Sequence, residues 1–395
     1  MVVVASLVVA ACSGSSDKDV TASGTAARGD VAAAQGGEAT DSGGSPGDGD
    51  PSTTTSRPAT GSGQPVTLAF AGDSSFQNQT AAVVASPSTV LSAIAPVLSG
   101  ADVAMVNLET ALGTGGSPQP KTFTFQVPAQ AIDALQAAGV DAVTMANNHG
   151  MDFGTTGLQD TLRIKKATGF PILGVGADEN EAYTPFTTEV KGQRIGILAA
   201  NDIFDDNLRA QWTAGPGTPG LSSAEEDHQA RLLQAVKDTR SKVDTLVVYL
   251  HMGTEKEFCP NPRQKELATL LTDAGVDIVI GSHTHRVQGV GYLGDRFVAY
   301  GLGNFIFKAN SPEGAATGVL LVTATGRKID GYEWKPAVIR NSIPFPLTGP
   351  AAAASLATMD QRQACADLSP TAQGSAAGTA GATPTTSGAG AGAGK

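Results

Sequence analysis

Aromatic residues are scarce in this chain of 395: thirteen phenylalanines, five tyrosines and two tryptophans, all between Phe70 and Phe345. The flanks are built mainly of Gly, Ala, Ser, Thr, Asp and Pro. They carry too little apolar surface to offset the entropy lost on folding. The expectation is one folded body at 65–345 between two disordered arms, a flexible linker at 12–64 and a low-complexity tail at 346–395. Basic residues are also few, 26 against 37 acidic ones, for a net charge of −11. The body alone holds 21 against 28, so the acidity is not confined to the arms. A nucleic-acid surface needs a basic stripe, so no nucleic-acid partner is expected. No long hydrophobic run occurs. Residues 1–11 are apolar, but a bilayer span needs about 20 such residues, and this stretch reads as the end of a signal peptide. No repeat is long enough for a solenoid.

Cysteine is limited to three residues. Val9-Ala10-Ala11-Cys12 resembles a bacterial lipobox, in which the cysteine is lipidated and becomes the mature N-terminus, although no basic residues precede it. On that reading Cys12 carries a lipid anchor and the body sits outside the cytoplasm, tethered to the cell membrane by the linker. Cys259 and Cys365 remain. In an oxidising compartment they either pair and pin the C-terminal arm to the body or stay free thiols.

Within the body, short apolar runs alternate with helical patterns. Strands are expected at 66–71, 102–106, 141–145, 172–175, 194–199, 245–250, 277–280, 296–300 and 319–323. Helices are expected at 87–95, 128–138, 157–168, 223–239 and 263–273. Pro96 is read as ending or kinking the first helix, and Gly139 as capping the second. Such alternation argues for an α/β sandwich with helices packed outside sheets.

Histidine is rare as well, with five in the chain. Two of them form Gly281-Ser282-His283-Thr284-His285 after an apolar strand, where two imidazoles can be aimed at one point. Other strands end in the same class of residue: Gly72-Asp73, Asn107-Leu108-Glu109, Asn147-Asn148-His149 with Asp152 beyond, and His251-Met252-Gly253-Thr254-Glu255. His228 falls in a charged helical stretch and reads as a surface residue. Ligands bind outside the carboxyl ends of strands in open α/β sheets. Carboxylate, amide oxygen and imidazole together suit Mn, Fe, Zn or Mg rather than a thiolate site. A carboxylate shared by two ions and flanked by imidazoles is the usual build of a two-metal hydrolytic centre.

This order of motifs resembles the calcineurin-like metallophosphatase superfamily, and more closely its branch of CapA-type (poly-γ-glutamate) capsule-biosynthesis proteins. The resemblance also takes in Thr110, Gly154, Leu173-Gly174-Val175-Gly176, Gln288 and Tyr300-Gly301-Leu302-Gly303-Asn304-Phe305, and runs over residues 66–308. It implies a layered sandwich of two central β-sheets flanked by helices. It also implies two divalent metal ions, with Asp73, Glu109, Asn148, His251, His283 and His285 at ligand positions. Glu109 stands where the superfamily usually has a bridging Asp. Asp73 has no histidine two residues on, which leaves one ion short of a ligand. His149 matches the residue that protonates the leaving group, with Asp152 or Glu255 as its partner. Met252-Gly253 replaces the Trp-Gly typical of the branch.

In function, the resemblance implies metal-dependent hydrolysis of phosphoester type. It also implies a role in making, exporting or anchoring an anionic capsule polymer beside membrane-embedded synthesis subunits. Two other readings fit the same cleft. One is a non-catalytic scaffold that holds a polyanion; the other is a hydrolase of different substrate, a generic phosphodiesterase or a peptidase for γ-glutamyl or cell-wall amides.

Overall fold

The computed structural model describes residues 63–373. The expected signal peptide at 1–11, Cys12, nearly all of the linker and residues 374–395 lie outside the described residues. Two sheets carry the body. The larger has the strand order Ile343–Pro346, Lys328–Arg340, Ala316–Thr325, Val66–Ser74, Val103–Leu108, Ala142–Thr144, Ile172–Leu173, with Asn304–Ile306 laid parallel against the end of Val66–Ser74. The smaller runs Val290–Leu293, Arg296–Ala299, Ile278–His283, Thr245–Met252, Gln193–Asn201, Phe186–Val190. The central pairs of both sheets are parallel; antiparallel strands close both edges of the smaller sheet and one edge of the larger, whose other edge, Ile172–Leu173, pairs parallel.

Side-chain alternation along these strands sets the layers. Leu68, Phe70, Met105, Ile197, Tyr249 and Ile280 share one core between the sheets. Their neighbours Ala69, Ala71 and Val106 face outward onto a core with Ile132, Leu135 and Leu158 from helices Gln130–Ala137 and Gly154–Thr168. On the other side Leu246, Val248 and Leu250 pack with Leu232, Val236, Leu267 and Leu271 of helices Gln229–Arg240 and Pro262–Asp273. The expected helix–sheet–sheet–helix sandwich is therefore present. One polar tie crosses the central layer: the Tyr249 hydroxyl donates to the Ala71 carbonyl at 2.9 Å.

Several boundaries differ from expectation for local reasons. In place of one helix at 87–95 there are three short ones spread over 80–98, Thr80–Ala85, Pro87–Val90 and Ala95–Leu98. Pro96 starts the last of these instead of ending a helix, because its missing N–H costs nothing in a first turn. The helix expected from 223 begins as a single turn at Glu226–His228 and becomes α-helical at Gln229.

The largest correction concerns the tail. Residues 346–373 are not structureless: Gly349–Arg362 is a helix opened by Pro350 in its first turn. Alanine is the strongest helix former, and this segment needs little burial because other ties hold it. Arg362 Nη1 donates to the Val287 carbonyl at 2.6 Å, and the Gln363 amide donates to the Val290 carbonyl. Cys365 is disulfide-bonded to Cys259 across a sequence separation of 106. Beyond it Ser369 pairs backbone to backbone with Tyr292 at the edge of the smaller sheet.

Parallel pairing gives the sandwich two unlike poles. The carboxyl ends of the central strands gather at one. At the other, the Gln64 carbonyl accepts from Gln193 at the start of its strand, and the Gln373 N–H donates to Gly294 at 2.9 Å. The described chain thus enters and leaves at the amino-end pole.

Candidate metal centre

Asp73 owes its position to a close approach that only glycine permits. A Cβ on Gly72 would lie 1.8 Å from the Gly303 carbonyl oxygen, the oxygen that accepts the Asp73 N–H at 2.9 Å. The Asp73 carboxylate is fully buried; Oδ1 accepts from Asn107 Nδ2 at 2.9 Å and faces the His283 N–H at 3.4 Å. Asn107 is the hub of the floor. Its amide nitrogen also lies 3.2 Å from His251 Nδ1, and its oxygen accepts from Asn147 at 2.9 Å. Asn147 in turn accepts the His149 N–H at 3.0 Å, which fixes the loop after strand Ala142–Thr144.

Glu109 occupies the centre. It is fully buried, and neither carboxylate oxygen has a hydrogen-bond partner. His251 Nε2, His285 Nε2 and His149 Nε2 surround its Oε1 at 3.5, 3.9 and 4.0 Å. Two groups of donor atoms form around it, Glu109–His251–His283 and Asp73–Glu109–His285, each with all atoms within 4.8 Å of one another. Asn148 Oδ1 joins the first at 2.8 Å from His251 Nε2. Glu109 is thus the shared member, as its bridging position implied. The histidine pair, by contrast, does not clamp one point. His283 turns to one group and His285 to the other, because the strand ends at His283 and both residues take left-handed backbone angles, φ 87° and 52°. Strain of this kind persists where surrounding structure enforces it, commonly at functional sites. At the position of the missing histidine stands Ser75, buried, with its hydroxyl unpartnered.

The electrostatics fit a cation. Burial, then the Asp73 charge beside it, pushes the Glu109 carboxyl well above its ordinary range. Burial, then His285, drives His283 down to about 3, and burial with the neighbouring imidazoles drives His251 well below its ordinary value. Both are therefore neutral, with ring lone pairs to give. Burial also opposes charge on His285, but Glu109 and Asp73 outweigh it and lift it to about 9. Without a metal, the raised affinity of both His285 and Glu109 for a proton offsets the charge of two buried carboxylates. An oxygen-rich and imidazole-rich set with orphaned carboxylate oxygens suits a hard or borderline divalent ion.

Beside this centre His149 forms a dyad. Its Nδ1 lies 2.6 Å from Asp152 Oδ2, which also accepts the Phe125 N–H at 2.6 Å. Asp152 is thus the carboxylate on His149, while Glu255 is exposed in the wall of the cavity above. Burial lowers the His149 pKa, and the bond to Asp152 opposes that shift. The Phe125 ring stacks on the imidazole at 4.4 Å.

Lys121, which no motif pointed to, locks the dyad from behind. Its buried Nζ sits 3.1 Å from Asp152 Oδ1 and 3.2 Å from Asp205, and donates to the Asn148 carbonyl. Lys121→Met strands a buried carboxylate. It is expected to cost roughly 3 kcal/mol in urea unfolding at pH 7; a loss below about 0.5 kcal/mol, the level of an ordinary surface change, would deny Lys121 this role.

The sequence comparison decides the family. Residues 67–309 match the bacterial capsule synthesis protein PGA_cap. The chain belongs to that family. Within it, the chain is 30% identical over 188 residues to the capsule biosynthesis protein CapA of Bacillus anthracis, covering 47% of this chain and 45% of that one. It is 29% identical over 188 residues to the PGA biosynthesis protein CapA of Bacillus subtilis, covering 47% and 48%. The chain spans about half the length of these relatives. Among solved structures, NAD nucleotidase from Haemophilus influenzae overlays with a TM-score of 0.40 at 14% identity, covering 78% of this chain and 57% of that one. That overlap is too loose to add to the geometry. The PGA_cap match takes in every expected metal and acid–base residue, Asp73, Glu109, Asn148, His149, Asp152, His251, Glu255, His283 and His285. Cys12, expected from the lipobox-like sequence to carry lipid, lies outside the described residues.

Proposed function

We propose that this PGA_cap protein is a surface-anchored accessory in the synthesis, export or anchoring of an anionic capsule polymer of poly-γ-glutamate type, and that it acts as a metal-dependent hydrolase. Two divalent ions would be held by Glu109 in common, with His251, His283 and Asn148 on one side and Asp73 and His285 on the other. The observation that carries this reading is Glu109, a buried carboxylate without a hydrogen-bond partner between two groups of neutral or neutralisable donors. When bound, such ions supply Lewis-acid stabilisation of developing charge and a more acidic water.

The chain's own residues do the rest. Asp152 is an acceptor on every side, so it orients His149 with the Nδ1 hydrogen inward and Nε2 toward Glu109 and the cavity. When Nε2 is protonated as well, His149 can pass that proton to a leaving group. Phe125 and Phe307 stack on His149 and His285 and limit water around both. Lipid attachment at Cys12 and membrane-embedded synthesis subunits as partners belong to the same proposal.

Metal analysis and thermal unfolding of purified protein test the centre. Manganese or zinc at 100 times its Kd is expected to add about 2.7 kcal/mol of stability. A protein that co-purifies without metal and whose melting ignores both ions would overturn the reading. Activity is read separately, on a phosphodiester and on poly-γ-glutamate.

A non-catalytic polyanion scaffold is the second reading. The missing histidine after Asp73, with Ser75 in its place, favours it by leaving the second donor group thin.

A further inference from the structure

The cavity over the metal centre, about 440 Å³, has a positive mouth in an otherwise acidic protein: Lys256, Arg286 and Lys308 line it with one carboxylate, Glu255. Arg286 is the unusual member. Among the described residues no carboxylate comes within ion-pair distance of it. Its Nη1 donates only to the carbonyl of its own neighbour, His285, at 2.8 Å, and its Nε is buried without a partner. A second guanidinium adds to the charge, since both Arg286, at 5.7 Å, and Arg362, at 4.8 Å, lie over the Phe258 ring. A half-buried guanidinium stays charged and is costly without an anion.

Beside it in the same lining, Asn304 offers the complementary half. Its amide nitrogen donates to the Gly314 carbonyl at 2.9 Å, which fixes the orientation and leaves Oδ1 buried with no donor. An empty acceptor next to an unpaired guanidinium calls for a ligand that presents an N–H and an oxyanion close together. A carboxylate-bearing amide has both; a phosphodiester has no N–H. Guanidinium and carboxylate also match as a two-point fork.

We propose that Arg286 and Asn304 form a recognition subsite for one carboxylate-bearing amide unit of the substrate, held beside the metal centre. Arg286 takes the carboxylate and Asn304 Oδ1 the amide hydrogen. The inference rests on the anionic-polymer reading and assigns to Arg286 and Asn304 the recognition of its repeating unit.

Calorimetric binding to the intact protein tests it, with three probes: a γ-linked glutamate pentamer, the same pentamer with its carboxylates amidated, and a glycerol-phosphate oligomer. Arg286→Gln is expected to weaken the acidic pentamer about tenfold or more and to leave the amidated one unchanged. Arg286→Lys is expected to restore part of the loss. Melting curves with and without manganese report folding and the metal centre independently. A protein stabilised by manganese that binds the pentamer equally well with and without Arg286 sinks the subsite and keeps the metal reading. One that ignores manganese but loses the pentamer on Arg286→Gln sinks the metal reading and keeps the subsite. A wild type that binds no pentamer, or loses only the phosphate oligomer on substitution, overturns the proposed ligand class.

Discussion

Replacing Glu109 with glutamine is expected to move stability in opposite directions with and without metal. In chelator, the variant should be more stable than the parent, by an amount on the order of 1–2 kcal/mol. Glu109 is a buried carboxylate with two unpartnered oxygens and a second carboxylate, Asp73, close enough to raise its pKa. An amide of the same shape removes the charge, and a neutral group costs less to bury than an ion that accepts no hydrogen bond. In excess manganese the order should reverse, because both donor groups lose their shared member and the gain of about 2.7 kcal/mol at 100 Kd disappears. The crossing of the two series is the diagnostic. If glutamine simply destabilised the protein under both conditions, Glu109 would be structural and the centre something other than a metal site.

His149→Asn carries the second large effect, on rate. A positioned proton donor contributes about 10²–10⁴-fold, so kcat on a phosphodiester or on the polymer should fall by that factor. His149 is outside both donor groups and lies 4.0 Å from Glu109, so manganese-dependent stabilisation should survive the change. Unchanged capsule polymer in cells carrying this variant, despite the loss of turnover in vitro, would favour the scaffold reading. Asp152→Asn should follow His149→Asn only in part, since it misorients the imidazole without removing it.

What was legible in the sequence followed the physics of strand ends. Asp73, Glu109, Asn148, His251 and His283 each close a short apolar run, and a parallel sheet brings such ends to one pole whatever the intervening helices do. The sharing of Glu109 was readable as well. The division of His283 and His285 was not, because it depends on two left-handed backbone angles that no side-chain pattern encodes. Asn107 stood inside a recognised motif, yet its role as the hub joining Asp73, His251 and Asn147 is a property of packing. Lys121 and Arg286 gave no signal, being single cations near motif residues whose meaning lies in what does or does not face them. Strand Lys328–Arg340 was missed because it mixes charges and Pro336 with a half-exposed face. The helix Gly349–Arg362 was hidden by its composition: a count of aromatics measures how much a segment can bury and is blind to a disulfide that makes burial unnecessary.

The two poles of the sandwich have a mechanical consequence. Strand Val66–Ser74 runs roughly 23 Å from Val66 to Asp73, at about 3.3 Å per residue. Chain leaving at either end of the described body departs from the far side of that distance. If the proposed anchor holds the chain, it would pull on the base and not on the mouth, and tension would turn the cavity outward like the open face of a moored buoy. On the same proposal, a strand of polymer emerging past such a body would meet the cavity only after clearing its full height, which would set a minimum length of chain before any unit could enter it.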